Sequence, residues 1–252
     1  MGLSIRPLRV GTLAGFEKSK FTYGFNFGEK LDAPCLVWLI EGASRKILVD
    51  SGPSGPEWAA KYHTAMKWDA EDALDRRLRS VGVDPADIDL VILTHLHWDH
   101  CFNTELFPKA KFLVQKEELK YAIAPLPVHQ RAYEVDMPGI KPPWFQVFDR
   151  MVVLDGDTPV EPGIQVILLP GHTPGLQGVR VETETGVYLI ASDLIPLFEN
   201  WEGSPDMKHI PPGIHVSLAE CFETFRKVEA ITDQILPGHD PMVLDREVYG
   251  KR

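Results

Sequence analysis

Short apolar segments recur along this chain, and each is bounded by residues that favour turns. The segments are rich in Val, Ile and Leu and are too short for ordinary helices, so they predict β-strands. The predicted strands cover residues 35–40, 46–49, 90–93, 111–114, 151–154, 166–169, 186–190 and 234–236.

Two other stretches have the pattern of amphipathic helices. The first covers residues 70–81, where Asp69 can cap the start and Gly82 can end the helix. The second covers residues 218–231 and opens at Ser217, with a glutamate three residues later that completes a capping box. Both stretches are therefore predicted to be helical.

Many strands and few helices, each amphipathic along one side, favour two sheets packed face to face with helices outside. This is the α/β class in its α+β form. No linker rich in Gly and Ser or in charge divides the sequence, so residues 1–252 are expected to form a single domain. The segment 116–144 combines helix-forming residues with several prolines and predicts a surface excursion that acts as a lid over a pocket. The segment 16–28 is predicted to be an aromatic loop.

The composition argues against some classes of function. The chain has 252 residues, of which 44% are hydrophobic, enough to bury a core without disulfides. Its formal charge of −10, with no dense Lys/Arg patch, argues against nucleic acid as a partner. No signal core or apolar run of ~20 residues is present, so no membrane segment is expected. The widely separated Cys35, Cys101 and Cys221 predict reduced thiols in a cytoplasmic protein.

The run THLHWDH at residues 94–100 directly follows the predicted strand 90–93. Because alternate residues of an extended backbone face the same side, His95, His97 and Asp99 can converge. Imidazole nitrogens and carboxylate oxygens are the ligands that zinc and related divalent ions prefer. Burying such groups without partners is costly, and a bound metal ion removes that cost. The run therefore predicts a metal site.

Three later predicted strands also lead to a potential metal ligand, namely His172, Asp193 and His239. A glycine precedes each of the two histidines, and glycine lets the backbone turn tightly at the end of a strand. Each of these features is weak by itself. Four strand ends that all deliver metal ligands together predict one shared site.

With these motifs in this order, the sequence resembles the metallo-β-lactamase superfamily over nearly its whole length. The resemblance rests on His-x-His-x-Asp-His, Gly-His-Thr-Pro-Gly, a Ser-Asp strand end and a late Gly-His. It implies an αββα four-layer sandwich and two divalent metal ions, most of all Zn²⁺. It also implies that Asp50, after the predicted strand 46–49, orients a metal ligand. The implied ligands are His95, His97 and His172 on one ion, Asp99, His100 and His239 on the other, and Asp193 between them.

Such a metal pair predicts a hydrolase. Two ions roughly 3.5–4 Å apart can share one hydroxide, which is a nucleophile near neutral pH. One ion can polarise a carbonyl while the other receives the oxygen of the leaving group. Attack by the bridging hydroxide then opens a lactone or cleaves a carboxylic ester, thioester or amide. Asp99 is the predicted catalytic residue, because it can carry a proton to the leaving alkoxide.

Within the superfamily, the chain is most similar to the N-acyl-homoserine lactonase branch. Lactonases of that branch typically have a tyrosine three residues after the bridging aspartate, where this chain has Pro196. A different lactone, or a cyclic or aryl ester, is therefore at least as well supported as acyl-homoserine lactone. The leading hypothesis is a lactone or ester hydrolase that acts on a small molecule, and the sequence leaves a homodimer open.

Three alternatives accompany this hypothesis. Thioester or amide hydrolysis on the same metal pair, as in glyoxalase II-like or β-lactamase-like relatives, remains open. An iron-dependent redox enzyme of this fold usually has an acidic residue where His97 stands. A binding protein on an inactive hydrolase fold would usually have lost ligands, whereas this chain keeps all of them.

Aromatic residues near the motifs are predicted to line an apolar pocket around the metals, although packing in the core or in loops is an equal alternative. His209 and Tyr23 are candidates to replace the missing tyrosine. His63, His129 and His215 are expected to be structural or solvent-facing, because none lies at a strand end beside other ligands. The predicted substrate-binding residues are Phe25, Phe27, Phe102, Phe198, Trp201 and His209.

Overall fold

In the computed structural model, which describes residues 2–251, the strands form a seven-stranded and a five-stranded sheet. The strands are β1 (Ser4–Glu17), β2 (Lys30–Glu41), β3 (Ile47–Val49), β4 (Met66–Lys67), β5 (Leu90–Ile92), β6 (Lys111–Gln115), β7 (Met151–Leu154), β8 (Thr158–Glu161), β9 (Ile164–Leu168), β10 (Gln177–Thr183), β11 (Gly186–Ser192) and β12 (Gln234–Pro237). The helices are α1 (Pro56–Tyr62), α2 (Leu74–Ser80), α3 (Lys116–Ile123), α4 (Phe198–Glu202) and α5 (Leu218–Glu229).

Both sheets are mixed. The first has the order β4-β1-β2-β3-β5-β6-β7, and its strands run parallel from β3 to β7. The second has the order β12-β11-β10-β9-β8 and is antiparallel except for the β11–β12 pair. Because β9 and β11 are both antiparallel to β10, and β12 is parallel to β11, the carboxyl ends of β9, β11 and β12 lie at one edge of the sheet.

Apolar side chains point to both faces of the sheets, and their packing produces a sandwich of four layers. On β2, Trp38 and Ile40 face the second sheet and pack against residues such as Val179. The intervening Val37 and Leu39 face outward, into the layer that includes α1, α2 and α3. On the far side, α5 covers the second sheet with Cys221, Phe225 and Val228. The expected αββα sandwich is confirmed.

All eight predicted strands coincide with strands of the structure, but four strands were not predicted. β1, β4, β8 and β10 escape the pattern because polar residues, Pro or Gly interrupt their apolar positions. β1 is the longest strand, and it keeps its pairing with β2 through two irregularities of register, between Arg9 and Thr12 and between Leu13 and Phe16. The first two residues of the predicted aromatic loop 16–28 therefore belong to β1, and a 3₁₀ turn at Lys18–Lys20 follows.

The predicted helix 70–81 is wrong as one continuous helix. A 3₁₀ turn at Ala70–Asp72 ends at Ala73, whose ψ of 128° is not helical, and α2 follows. Asp72 explains the break, because its carboxylate bonds back to the Asp69 backbone and also binds Arg77 at 2.7 Å. The second predicted helix and its cap at Ser217 are confirmed, with the helix ending at Glu229.

The segment 116–144 is only partly the surface excursion that was predicted. It begins as α3, which turns the side chain of Glu118 into the core, and Tyr133 and Glu134 are also buried. The backbone N–H of Trp98 donates to the carbonyl of Ala132 at 2.9 Å, so this segment packs directly on the metal-binding run. Within residues 2–251, no helix combines the length and the apolar character needed to cross a membrane.

A buried glutamine joins the two sheets next to the site. The backbone N–H of Gln177 on β10 donates to the carbonyl of Thr94 at 2.8 Å. Its side-chain amide donates to the carbonyl of Leu93 at 2.8 Å and accepts from Gln115 at 2.9 Å. Each of these groups is sealed from water, so the network holds the end of β5 against the second sheet.

We predict that Gln177→Ala lowers the free energy of unfolding by about 3 kcal/mol, because it leaves the buried carbonyl of Leu93 without its donor and removes one of the two acceptors of the Gln115 amide. Urea denaturation followed by circular dichroism measures this change. Gln165→Ala, on the partly exposed face of β9, is the matched control and should change stability by less than about 0.5 kcal/mol. Equal effects of the two substitutions would contradict the role of the network.

Candidate metal centre

The predicted ligands meet at one edge of the sandwich. The run after β5 comes from the first sheet, and His172, Asp193 and His239 follow β9, β11 and β12 of the second. The atoms that could bind a metal lie within 4.8 Å of one another in each of three groups. These groups are His95, His97 and His172; His95, His100 and Asp193; and Asp99, His100 and His239.

Asp193 lies between the two sets of histidines. Its Oδ1 is 3.3 Å from His100 Nε2 and 3.2 Å from His239 Nε2. Its other oxygen, Oδ2, is 3.6 Å from His172 Nε2. One carboxylate therefore has an oxygen directed at each side of the cluster, which is the arrangement of a bridging ligand.

Several of these atoms are buried without a hydrogen-bond partner in the described chain. They include the Nε2 atoms of His95 and His100 and the Oδ1 atom of Asp193. Burying polar atoms without partners is costly, and such atoms are rare in folded proteins. Imidazole nitrogen and carboxylate oxygen are zinc ligands, so the atoms present fit a pair of divalent cations.

The ring nitrogens that face away from the cluster fix the orientation of His172 and His239. Nδ1 of His172 lies 2.8 Å from the carbonyl of Ile214, and Nδ1 of His239 lies 2.9 Å from the carbonyl of Pro34. Because a carbonyl only accepts, each Nδ1 carries the hydrogen and Nε2 keeps its lone pair. The lone pairs therefore face the centre of the cluster, as metal binding requires.

Asp50 fixes the orientation of the His100 ring in the same way. Its side chain is 2% exposed, and it accepts from His100 Nδ1 at 2.8 Å. It also accepts from the backbone N–H of Thr94 at 2.7 Å and from its hydroxyl at 2.9 Å. Burial raises the pKa of this carboxyl, and His100 opposes the shift. Asp50 thus contacts a predicted ligand on one side and the start of the run on the other.

The electrostatics of the two halves differ. Burial lowers the pKa of His95 and His97 well below the ordinary histidine value, and the neighbouring histidines lower it further. Burial also acts to lower the pKa of His100, but the carboxylates of Asp193 and Asp99 raise it well above that value. His95 and His97 therefore present neutral imidazoles, whereas negative charge is concentrated around His100. Both features favour the binding of cations.

Two glycines shape the turns that carry the later histidines. Gly171 has a φ of +145°, and a Cβ there would lie 2.6 Å from Cys221 Sγ. Gly238 is needed for space instead, because its Cβ would lie 2.8 Å from Asp193 Oδ1. Gly171 therefore has the positive φ expected of a tight turn, whereas Gly238 is required because the backbone passes close to the predicted ligand Asp193.

Glu118 is a buried residue of the site that sequence reasoning missed. Its carboxylate accepts from the backbone N–H of Leu96 at 2.9 Å and from the hydroxyl of Thr173 at 2.5 Å. The hydroxyl of Tyr133 donates to the same carboxylate at 2.8 Å. Leu96 lies between two predicted ligands and Thr173 adjoins a third, so Glu118 ties both ligand loops together. Its only sequence signal was an acidic residue early in a helix.

A cavity of about 270 Å³ opens onto the cluster. Asp99, Asp193, His97, His172 and His239 reach its floor. Val128, Arg131 and Ala132 of segment 116–144 form part of its wall. The apolar side chains around the cavity are Leu13, Phe16, Phe21, Trp98, Val128 and Ile214.

The six predicted substrate-binding residues are not among those that line this cavity, and that prediction is corrected. Phe198 and Trp201 lie on α4 and face a separate surface depression beside β12. His209 stacks on Trp201 with 4.1 Å between ring centroids, and its Nε2 lies 2.7 Å from Glu229. Trp201 and His209 thus pack against each other, and Phe198 packs against the core between the sheets.

The remaining three predicted contacts also lie elsewhere. Phe27 is 77% exposed and Phe25 is half-buried in the turn beside it. Phe102 packs edge-on against Trp58, with ring centroids 5.8 Å apart. Closeness to a motif in the sequence did not place these rings at the site, because the backbone turns after each motif.

Two further observations concern the cavity wall. Pro196 is buried, and its carbonyl accepts from the backbone N–H of His239 at 2.8 Å. His63, which was expected to be structural or solvent-facing, lines the cavity instead. The ring of Phe21 packs 5.2 Å from that of His239. Pro196 thus contacts a predicted ligand through its backbone carbonyl, and the imidazole of His63, just after α1, reaches the cavity.

Comparisons with known proteins agree with this architecture. An N-acyl homoserine lactonase of Bacillus thuringiensis is 29% identical over 228 residues, 84% of each chain. A solved N-acyl homoserine lactone hydrolase with N-hexanoyl-L-homoserine at its catalytic metal centre has a TM-score of 0.77 at 23% identity, covering 96% of this chain and 95% of its own. A dizinc quorum-quenching lactonase has a TM-score of 0.71 at 18% identity, with 95% and 88% covered. The family model of the metallo-beta-lactamase superfamily matches residues 32–239. The chain therefore belongs to the metallo-β-lactamase superfamily.

Proposed function

We propose that this protein is a dinuclear-metal hydrolase that opens a lactone or cleaves a carboxylic ester. The observation that carries the proposal is the convergence of seven ligand side chains, some with buried atoms that have no protein partner, and five of the seven reach the floor of a cavity. The similarity to N-acyl homoserine lactonases supports a lactone as the substrate class.

We assign two divalent ions, of which zinc suits the nitrogen and oxygen ligands best. Such ions supply Lewis acidity toward a carbonyl and a nucleophile derived from water at neutral pH. The assignment follows the two sides of the cluster. His95, His97 and His172 would hold one ion, Asp99, His100 and His239 the other, and Asp193 both.

Asp99 is the residue that we assign to proton transfer. Its side chain is 12% exposed and lines the cavity, and its Oδ2 is 3.9 Å from His100 Nε2 and from His239 Nε2. When a nucleophile adds to the lactone carbonyl, the ring C–O bond breaks and leaves an alkoxide. Asp99 is placed to take up the proton that the attacking water loses and to deliver it to this oxygen, so the product leaves as a hydroxy acid.

The cavity favours a small substrate. Its volume of about 270 Å³ lies near the lower end of ligand pockets, and its walls are largely apolar. The formal charge of −10 disfavours a nucleic acid as the substrate. Because Pro196 contributes only backbone here, we do not restrict the substrate to acyl-homoserine lactone. The three buried, unpaired cysteines support a reducing compartment such as the cytoplasm.

We predict that zinc-loaded protein hydrolyses γ-lactones or aryl esters with a kcat/KM at least about tenfold above that for thioesters and amides of similar size. The reasons are that the cavity is small and that the assigned proton donor, Asp99, serves a single leaving oxygen. Initial rates on matched panels measure this order. A preference for thioesters or amides would support the alternative hydrolase class, and no hydrolysis of any panel member would contradict the proposed function.

We predict that His172→Ala lowers kcat/KM by at least about 1,000-fold and lowers the metal content per chain, since one ion loses a ligand. Atomic absorption after dialysis and initial rates measure both effects. His209→Ala is the control, because this histidine lies behind the site and contacts Trp201 and Glu229. Its metal content and kcat/KM should stay near those of the parent. Full activity of His172→Ala would rule out the assigned ligand set.

We predict that Asp50→Asn weakens metal binding about 10- to 100-fold, because His100 loses the carboxylate that orients its ring. Competition with a chelator of known affinity measures the change. Asp155→Asn removes an exposed carboxylate that pairs with Lys116 and should leave metal binding unchanged. An unaltered affinity in Asp50→Asn would show that the hydrogen bond to His100 is dispensable.

A further inference from the structure

A histidine outside the ligand set reaches the cavity. His63 follows α1, and its ring lies flat against that of Trp98, with 4.0 Å between centroids and 2° between planes. Its side chain is only 5% exposed, yet it lines the cavity together with Asp99 and Asp193. The stacking fixes the ring plane, so the position of each ring nitrogen is defined.

One of these nitrogens is held by a buried glutamate. His63 Nε2 lies 2.7 Å from Glu134 Oε1, and the indole N–H of Trp58 donates to the same oxygen at 2.6 Å. Because an indole N–H only donates, this carboxylate oxygen acts as an acceptor, and we place the hydrogen of His63 on Nε2. In this tautomer of the uncharged imidazole, Nδ1 has no hydrogen and its lone pair can accept a hydrogen bond.

The environment of Glu134 indicates that the fold itself maintains the contact between Glu134 and His63. The residue is 1% exposed and has a φ of +54°, a left-handed conformation that is uncommon for a side chain of this size. Its second oxygen is buried without a partner in the described chain. Both features are unfavourable by themselves, so the contacts with His63 and Trp58 must hold the carboxylate in place.

Nδ1 of His63 remains available to accept a hydrogen bond from a substrate. No hydrogen bond to it occurs within residues 2–251, and it is not among the buried polar atoms that lack a partner, so it keeps accessible surface. Lys20 and Arg131, which also line the cavity, can only donate. Thr64 also lines the cavity, and its hydroxyl can donate or accept. Outside the assigned ligands, His63 therefore supplies the imidazole acceptor of the cavity wall, beside this hydroxyl.

We propose that His63, oriented by Glu134, is a specificity-determining residue that selects substrates with a hydrogen-bond donor, a hydroxyl or an amide N–H, beside the lactone carbonyl. This inference rests on the proposed function and narrows its substrate class. A substrate that offers the donor satisfies Nδ1 when water leaves the cavity. An otherwise equal substrate without the donor leaves a desolvated lone pair, which opposes binding.

The test compares two γ-lactones on the zinc-loaded protein, α-hydroxy-γ-butyrolactone and its α-methoxy analogue, each rate being divided by that of alkaline hydrolysis. We expect the parent protein to prefer the hydroxy lactone by about 10- to 100-fold in kcat/KM. His63→Phe keeps the stacking on Trp98 but removes the acceptor, so the two lactones should become equal within about threefold. Metal content should stay unchanged.

The control is His209→Phe. His209 also pairs with a glutamate and stacks on a tryptophan, but it lies behind the site. This variant should keep the preference of the parent protein. A second readout uses inhibition by the corresponding N-methyl lactams, which are not opened, so the preference for the hydroxy compound should appear in the inhibition constant as well.

The outcomes separate the two proposals. Hydrolysis of both lactones at equal normalised rates by the parent protein would overturn the role of His63 and leave the lactonase function standing. A preference that survives in His63→Phe would overturn it too. If metal-loaded parent protein opened neither these lactones nor any other in the panels, the proposed function would fail, and the inference with it. If His63→Phe does not fold, discrimination by the parent protein in rates and in lactam inhibition decides the matter.

Discussion

The burial of seven metal-ligating side chains in one cluster is the constraint on which the rest of this structure depends. Their inward atoms include nitrogens and an oxygen that no group of the described chain satisfies, and divalent cations between them would satisfy these atoms. The surrounding contacts serve this arrangement. The carbonyls of Ile214 and Pro34 and the carboxylate of Asp50 orient the outer ring nitrogens. Contacts within the chain therefore orient these three histidines.

The two sheets bring the ligands together because their strands end at the same edge. β5 belongs to the first sheet, whereas β9, β11 and β12 belong to the second, and Gln177 fastens the end of β5 to the second sheet. Glu118 connects the two ligand loops from the opposite side. The contacts that position the site are thus distributed over several elements, and each of them is a buried polar group with defined partners.

Sequence reasoning succeeded where a signal is local. Apolar runs identified eight of the strands, and the ligand motifs at strand ends identified the cluster. Sequence reasoning failed where the packing of the folded chain decides whether a side chain faces the cavity. Phe198 and Trp201 read like pocket residues from their position after a motif, but α4 turns them away from the cavity. His63 carries no local signal, because its partners Glu134 and Trp98 are distant in the sequence.

By itself, the sequence determined the two-sheet architecture, the superfamily and the seven residues of the cluster, since these depend on periodicity and on short motifs. Only the tertiary structure decided which side chains face the cavity, which carboxylates anchor the ligand loops and how the histidines are oriented. These properties arise from contacts between segments that are far apart along the chain, such as Asp50 with His100 and Glu118 with Thr173. No periodic pattern records such contacts, because each is created by the packing of the folded chain.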